Sequence, residues 1–348
     1  MCSMKLQQHG EHVKPAYRPQ PGQTLSTAGE STDEARPGGQ LSGLVRRFPK
    51  TERATEDVTT LNWVKSVYGQ ALEYTGIDRS TRGGILLWGV IGAAGGVFAA
   101  WTLAGMPGQY PWNPNWIDYL MAFPMGVFFL LSGLAFFVWT ARAELFRPND
   151  EPIIFDRQRR KVYRVMQEVQ PGWRGIFKPW PFVATSYEWD LIDAEHHAIV
   201  GSTGSGVTRY HALVMVVRKS VDDANIISSF NVGQAVTMTE RTVPMVWEHI
   251  RRYMEEDGPP LPEGETLGRT APPQGWWQSM AAVGCFGPDY FKWWRNFPIY
   301  TLLFHVLFPV FVPLNLLWGT CNWLSFKTAV PVNWPREVLE TVGPPLAV

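Results

Sequence analysis

The sequence predicts an α+β membrane protein: a transmembrane helical hairpin, a cytosolic antiparallel β domain with a C-terminal helix, and a proline-kinked membrane segment near the C-terminus. Three observations carry this. No Lys, Arg, Asp or Glu occurs from Gly83 to Ile117, and after Asp118 none occurs from Tyr119 to Ala141. Between residues 151 and 258, runs of β-branched and aromatic residues are separated by turn signals. A third charge-free stretch, Asn296 to Phe326, carries Pro298, Pro309 and Pro313.

Residues 1–56 are rich in Gln, Gly, Pro, Ser, Thr and Glu. Such a segment buries too little apolar surface to offset its ordering entropy, which predicts a disordered cytoplasmic tail. In 57–82, Thr59 and Thr60 offer an N-cap, and Leu61, Val64, Tyr68, Ala71 and Leu72 stand at helical spacing. The expectation is a short amphipathic helix leading to the membrane.

Residues 83–141 form the predicted hairpin. Gly83–Ala104 and Tyr119–Trp139 each match the roughly 20 residues that span a bilayer, and backbone inside lipid must bond internally, so both are read as helices. The connection 105–118 holds no Lys or Arg, whereas Lys65, Arg79 and Arg82 precede the hairpin and Arg142, Arg147, Arg157, Arg159, Arg160, Lys161 and Arg164 follow it. The positive-inside rule puts both flanks in the cytoplasm. The expected location is the bacterial inner membrane, multi-pass, with the N-terminus and residues 142–296 cytoplasmic. Gly92 and Gly96 let a second helix approach closely. Packing the hairpin on itself is the preferred use, and a homo-oligomer face is the alternative.

Strands are expected at Ile153–Asp156, Lys161–Met166, Phe182–Trp189, Val207–Val217 and Ile226–Val232, with Gly201–Gly206 as a hairpin loop. A helix follows at Pro244–Glu256, supported by a Glu248/Arg252 pair. Antiparallel strands closed by one helix give residues 151–258 a pleckstrin-homology-like outline, by element order alone. Residues 259–275 are a Pro- and Gly-rich linker. In 276–326 an aromatic segment precedes the third charge-free stretch. Trp276, Trp277, Trp293 and Trp294 beside Lys292 and Arg295 suit the membrane interface. A full crossing of 297–326, slightly preferred, puts the tail 327–348 outside; a re-entrant segment keeps it in the cytoplasm.

With 348 residues and 45% hydrophobic composition there is room for a folded domain beside the membrane part. The net charge of zero gives no general argument for nucleic acid. Cys2, Cys285 and Cys321 match neither zinc spacing nor a disulfide framework. No apolar leader precedes the hairpin, so the first membrane helix is expected to act as its own insertion signal.

The one polar cluster that resembles a site is Glu188, Asp190, Asp193, Glu195, His196 and His197. Neighbouring histidines on a strand face opposite ways, so the reading kept is a solvated strand end and turn, with no metal. Gly201–Gly206 lacks the Gly-Lys-Ser/Thr ending of a phosphate loop. His305, inside an apolar segment, is either functional or packing polarity. Arg157, Arg159, Arg160 and Lys161 follow the second membrane helix closely and are the basic candidates for headgroup contact, beside a plain topological role. No catalytic set, cofactor site or metal site is found, so the protein is expected not to be an enzyme.

Ile154-Phe-Asp-Arg157 with Lys161-Val-Tyr-Arg164, Glu188-Trp-Asp190, Trp247-Glu-His-Ile-Arg-Arg-Tyr-Met-Glu255 and Pro331-Val-Asn-Trp-Pro335 resemble an uncharacterised family of proteobacterial membrane proteins. The resemblance covers about Asp78 to Val338. It implies a membrane hairpin, a cytosolic β-rich domain, a proline-interrupted C-terminal region and an association with type VI secretion and polymorphic-toxin loci. The function so implied is an inner-membrane immunity protein that binds a cognate secreted toxin. The alternative is a membrane-anchored scaffold that recruits an effector or another cytosolic partner. The expected partners are therefore membrane lipid and a protein, either toxin or secretion component.

Overall fold

The computed structural model describes residues 5–8, 42–76, 82–109, 116–203 (except 169, 171 and 179), 206–233 (except 222 and 224), 238–268, 275–281 and 283–346. Strands β1 (Lys5–Gln8), β2 (Ser42–Phe48), β3 (Val64–Val67) and β4 (Ala71–Tyr74) precede two long helices, α1 (Gly84–Gln109) and α2 (Trp116–Glu144). After them come β5 (Ile153–Asp156), β6 (Lys161–Gln167), β7 (Phe182–Glu188), β8 (Ile192–Thr203), β9 (Gly206–Arg218), β10 (Ile226–Val232) and helix α3 (Thr242–Glu255). One sheet runs β1-β7-β6-β5-β4-β3 and the other β10-β9-β8-β2. All pairings are antiparallel except that of β1 with β7. The main core gathers residues of both sheets and α3. At its centre the Trp189 and Trp247 rings stack 5.8 Å apart, with Phe155 edge-on to Trp189.

The sheet is interrupted by the hairpin. β4 ends at Tyr74 and β5 begins at Ile153, yet the two are adjacent, with Ala71 opposite Asp156 and Tyr74 opposite Ile153. Residues 75–152 are thus an insertion between neighbouring strands. Its two ends meet where the Gly76 N–H donates to Asp150 Oδ1 at 3.1 Å and Lys65 pairs with the same carboxylate at 2.5 Å.

This arrangement corrects two expectations. Residues 57–82 hold β3 and β4, with no helix among those described. Leu61 and Asn62 take positive φ, and the Tyr68 N–H donates to the Ala71 carbonyl, closing a tight turn over Gly69 and Gln70. The spacing of apolar residues fits both periods, and pairing with β5 selects the strand. The tail expected over 1–56 contains β2, which pairs with β8 from Ser42 opposite Ile199 to Phe48 opposite Ala194. Residues 1–4 and 9–41 lie outside the described residues. The β domain therefore draws strands from before the hairpin as well as from 151–258.

In the hairpin, stretches of 21 residues (Gly84–Ala104) and 25 residues (Leu120–Glu144) are long and apolar enough to cross a membrane. At 1.5 Å per residue the shorter reaches about 31 Å, the thickness of the hydrocarbon layer. Trp88, Phe98, Trp101, Phe123 and Phe128 stand exposed on the outside of the pair. Such a helix pair is at home only in an apolar medium, and the protein is a membrane protein.

Beyond α3 the linker lies against the β domain. The Gly268 N–H donates to Val64 O, and Glu265 accepts from Thr59 Oγ1 at 2.6 Å and from the Thr60 N–H. Then follow α4 (Trp276–Met280), α5 (Tyr290–Asn296), α6 (Pro298–Val306), α7 (Phe308–Lys327) and α8 (Arg336–Val342). α6 and α7 meet at 103°. The last segment returns to the β domain: Val330, Val332 and Trp334 pack on Val165, Phe182 and Ala184, and Val338 and Val342 on Tyr68, Ile154 and Tyr163. The Leu346 N–H donates to Val67 O.

Candidate functional site

The hairpin, the sheet and α7 converge on Arg82, whose side chain is 1% exposed. Nε donates to Ser325 Oγ at 2.7 Å, one terminal nitrogen donates to Asn149 Oδ1 at 2.7 Å and to Arg147 O, and the other donates to Glu144 O at 2.9 Å. The Glu144 carboxylate lies 3.8 Å from Nε and accepts from the Ser325 hydroxyl. Asn322 Nδ2 donates to Arg82 O at 2.7 Å. A guanidinium this deep is tolerable only with its donors occupied and a counter-charge nearby. Both conditions are met by residues from three separate parts of the chain.

Above this knot, α7 follows the base of the hairpin. Cys321 packs with Leu86 and Leu87, and Leu317 and Trp318 join Val90, Phe137 and Ala141. Since Asn322 and Ser325 meet Arg82 while 317–321 meet residues 86–90, α7 runs antiparallel to the first two turns of α1.

The predicted basic cluster has a different place. β6 runs from Lys161 to Gln167, and Gln167 Nε2 reaches Phe146 O beside the hairpin base. Six strand steps of about 3.3 Å put Lys161 and the Arg157–Arg160 turn roughly 20 Å further away. There each cation has an acidic partner: Arg157 with Asp257, Arg159 with Asp156, Arg160 with Asp190 and Glu255, and Lys161 with Glu188. Attraction to headgroups falls off within a Debye length of about 8 Å, so the arrangement favours the plain topological role over headgroup contact. Chain proximity to α2 misled, because the strand runs away from the hairpin before it turns.

The four tryptophans split into two settings. Trp276 Nε1 donates to Thr320 Oγ1 at 2.9 Å, and α4 lies along α7, with Met280 against Gly319. Trp277 is exposed. Trp293 stacks on Tyr300 and Trp294 lies 5.4 Å from His305. His305 has partners at both ring nitrogens, Tyr290 Oη at 3.0 Å and Thr301 O at 2.7 Å, which makes it packing polarity between α5 and α6.

Gly92 and Gly96 serve the hairpin itself. A Cβ on Gly96 would meet Phe129 O at 2.6 Å and one on Gly92 the Phe136 ring at 2.6 Å. Their face is covered by α2, so the alternative of a homo-oligomer through these glycines is withdrawn.

The polar cluster of β7 and β8 divides. Glu188 and Asp190 are ion-paired near the surface as a solvated strand end, and Asp193 pairs with Arg218. Glu195, His196 and His197 lie buried within β8, correcting the solvated reading for these three. The histidines do face opposite ways: His196 meets His211 at 2.8 Å, and His197 meets Glu195 at 2.7 Å. Burial, then the neighbouring His211, lowers the His196 imidazole to about 4. No set of three or more potential metal ligands occurs among the described residues.

The knot was invisible in the sequence, although one signal existed: Asn322 and Ser325 sit in a largely apolar helix whose polar groups need partners. Against known proteins, residues 129–342 match DUF6708, a family of unknown function. The match begins inside α2 and so omits β1–β4 and α1, which complete the same two sheets and the hairpin. No curated protein and no solved structure matches the chain.

Proposed function

For a chain that belongs to the DUF6708 family, we propose a non-enzymatic, membrane-embedded binding protein whose β domain is held at fixed height and orientation on the cytoplasmic face of the bacterial inner membrane. The observation that carries this is the insertion of the hairpin between adjacent strands β4 and β5, closed at its base by Arg82. A domain anchored by one flexible linker swings freely; one continuous with two membrane helices does not. The finer likeness of the two sheets and α3 to a pleckstrin-homology fold belongs to this proposal, as a scaffold that carries binding surfaces without catalytic groups.

The segment α6–α7 is read as re-entrant. Its preceding linker bonds to Thr60 and Val64, and the segment that follows it packs on β6 and β7. Both ends thus return to one body, which supports a C-terminus on the side of the β domain rather than the crossing preferred from sequence.

The use we propose for this protein is immunity, by occlusion of a secreted toxin that acts at the membrane; recruitment of an effector or another partner is the alternative. A surface competition separates the two. A strain lacking the gene is grown against its parent, with and without a working contact-dependent secretion system in the parent. Killing of the mutant only by a secreting parent supports immunity. Survival in both cases, with secretion impaired in the mutant itself, supports recruitment and overturns immunity.

A further inference from the structure

We infer that the cleft between the domain-side end of α2 and the β6–β7 loop is a binding site for the phosphate headgroup of an anionic membrane lipid. The cleft has a volume of about 470 Å³ and is lined by Trp139, Arg142, Gln170, Trp173, Ile176 and Trp180. Unlike the Arg157–Lys161 turn, it adjoins the hairpin. Arg142 stands in the last turn of α2, and its Nε and one terminal nitrogen donate to Ile176 O and Lys178 O, both at 3.0 Å. These two bonds hold the loop against the helix and pin the guanidinium over the Trp180 ring, 4.2 Å from its centroid. A guanidinium carries five N–H donors, and only these two are engaged among the described residues.

The charge pattern points to an anion. Arg142, Arg174 and Lys178 form no ion pair among the described residues, whereas every cation of the Arg157–Lys161 turn has one. The negative end of the α2 dipole opposes an anion with about half a charge. Glu144 is turned to Arg82, and Glu168, at the start of the loop, does not line the cleft. Of the three cations Arg142 lines the cleft, while Arg174, over the Trp173 ring, and Lys178 stand on the loop that borders it.

The apolar pattern points to a lipid. Trp173 and Phe177 are 69% and 76% exposed on a short 3-10 turn, and Trp139 is 53% exposed on α2. Indole rings beside cations suit the headgroup layer, where ring and charge are both satisfied. The planar fork of Arg142 fits two phosphate oxygens, while Trp139 and Trp173 flank the glycerol and the first methylenes.

This site rests on the membrane reading, which carbonate extraction of cell membranes tests separately. The site itself is tested on the full-length protein in neutral detergent by native mass spectrometry. Phosphatidylglycerol and phosphatidylcholine are titrated, with glycerol 3-phosphate and inorganic phosphate as soluble competitors. The wild type is expected to prefer phosphatidylglycerol by about tenfold, and the R174Q/K178Q and R142Q variants to lose most of that preference. R174Q/K178Q removes charge without removing any side-chain hydrogen bond described here, so it remains informative should R142Q fail to fold. W173A should weaken retention of both lipids. Equal retention of the two lipids by the wild type, or unchanged preference in R174Q/K178Q, overturns the proposal. Displacement of phosphatidylglycerol by millimolar glycerol 3-phosphate or phosphate also overturns it, in favour of a soluble phosphate ligand.

Discussion

Arg82 illustrates how a single side chain can join three parts of a chain. Its partners belong to α2, to the segment before β5 and to α7, and a long apolar helix begins two residues later. Replacing Arg82 by Met leaves Glu144 buried without its counter-charge and should destabilise the protein by about 3–5 kcal/mol. The double variant R82M/E144M should be less destabilised than R82M alone, as read from thermal melting in detergent. The β domain contains a second set of residues with a pH signature. Burial lowers His249 to about 4, and burial with His211 lowers His196 to about 4. Unfolded histidine takes its proton near 6.5, so between pH 6.5 and 4 the unfolded chain binds more protons. The stability that these histidines govern must therefore fall as pH drops through that window, and their contribution is constant above it. Glu248 adds a lower window. Burial alone would raise its carboxyl, but hydrogen bonds from Arg251, the Ala54 N–H and Arg252 outweigh this and hold it at about 2. Its contribution is full above about 4.5 and lost toward 2. Melting followed from pH 8 to 4 should show a plateau and then a decline. H196F should flatten part of the decline between 6.5 and 4.5.

At the scale of the element, the hairpin depends on which glycines face inward. Gly96 meets Phe129 O and Gly133, while nothing lies within 4 Å of a Cβ on Gly95. Gly96→Leu should overpack the pair and destabilise it by about 1–3 kcal/mol, whereas Gly95→Leu should leave the melting temperature unchanged. Equal effects of the two would mean that the helices pack on a different face. β3 and β4 teach a related lesson. Four residues each, they are too short to hold a period of their own, and the turn at Gly69–Gln70 with the register against β5 decides their state. The helix α3 was legible because its apolar stripe, its Pro244 and its Glu248–Arg252 bridge of 2.7 Å are all local.

At the scale of the molecule, the re-entrant reading makes a topological prediction. A cysteine at Leu346 should escape an impermeant maleimide in intact cells, while one at Gln109, at the far end of α1, should react. Labelling of both would require α6–α7 to cross and would contradict the packing of 330–342 on the first sheet.

The sequence by itself determined the membrane hairpin, most strands of 151–258 and α3, because hydropathy, alternation and capping act over neighbouring residues. It read Gly201–Gly206 as a loop, whereas β8 runs on to Thr203 and β9 begins at Gly206. It did not show that residues 42–74 belong to the same sheets, that Arg157–Lys161 lie far from the hairpin base, or that Arg82 and Arg142 hold the junction. Those features depend on strand pairing and side-chain contacts across 34 to 240 positions of chain. No local pattern encodes them, since the energy of such contacts exists only once the partners have been brought together.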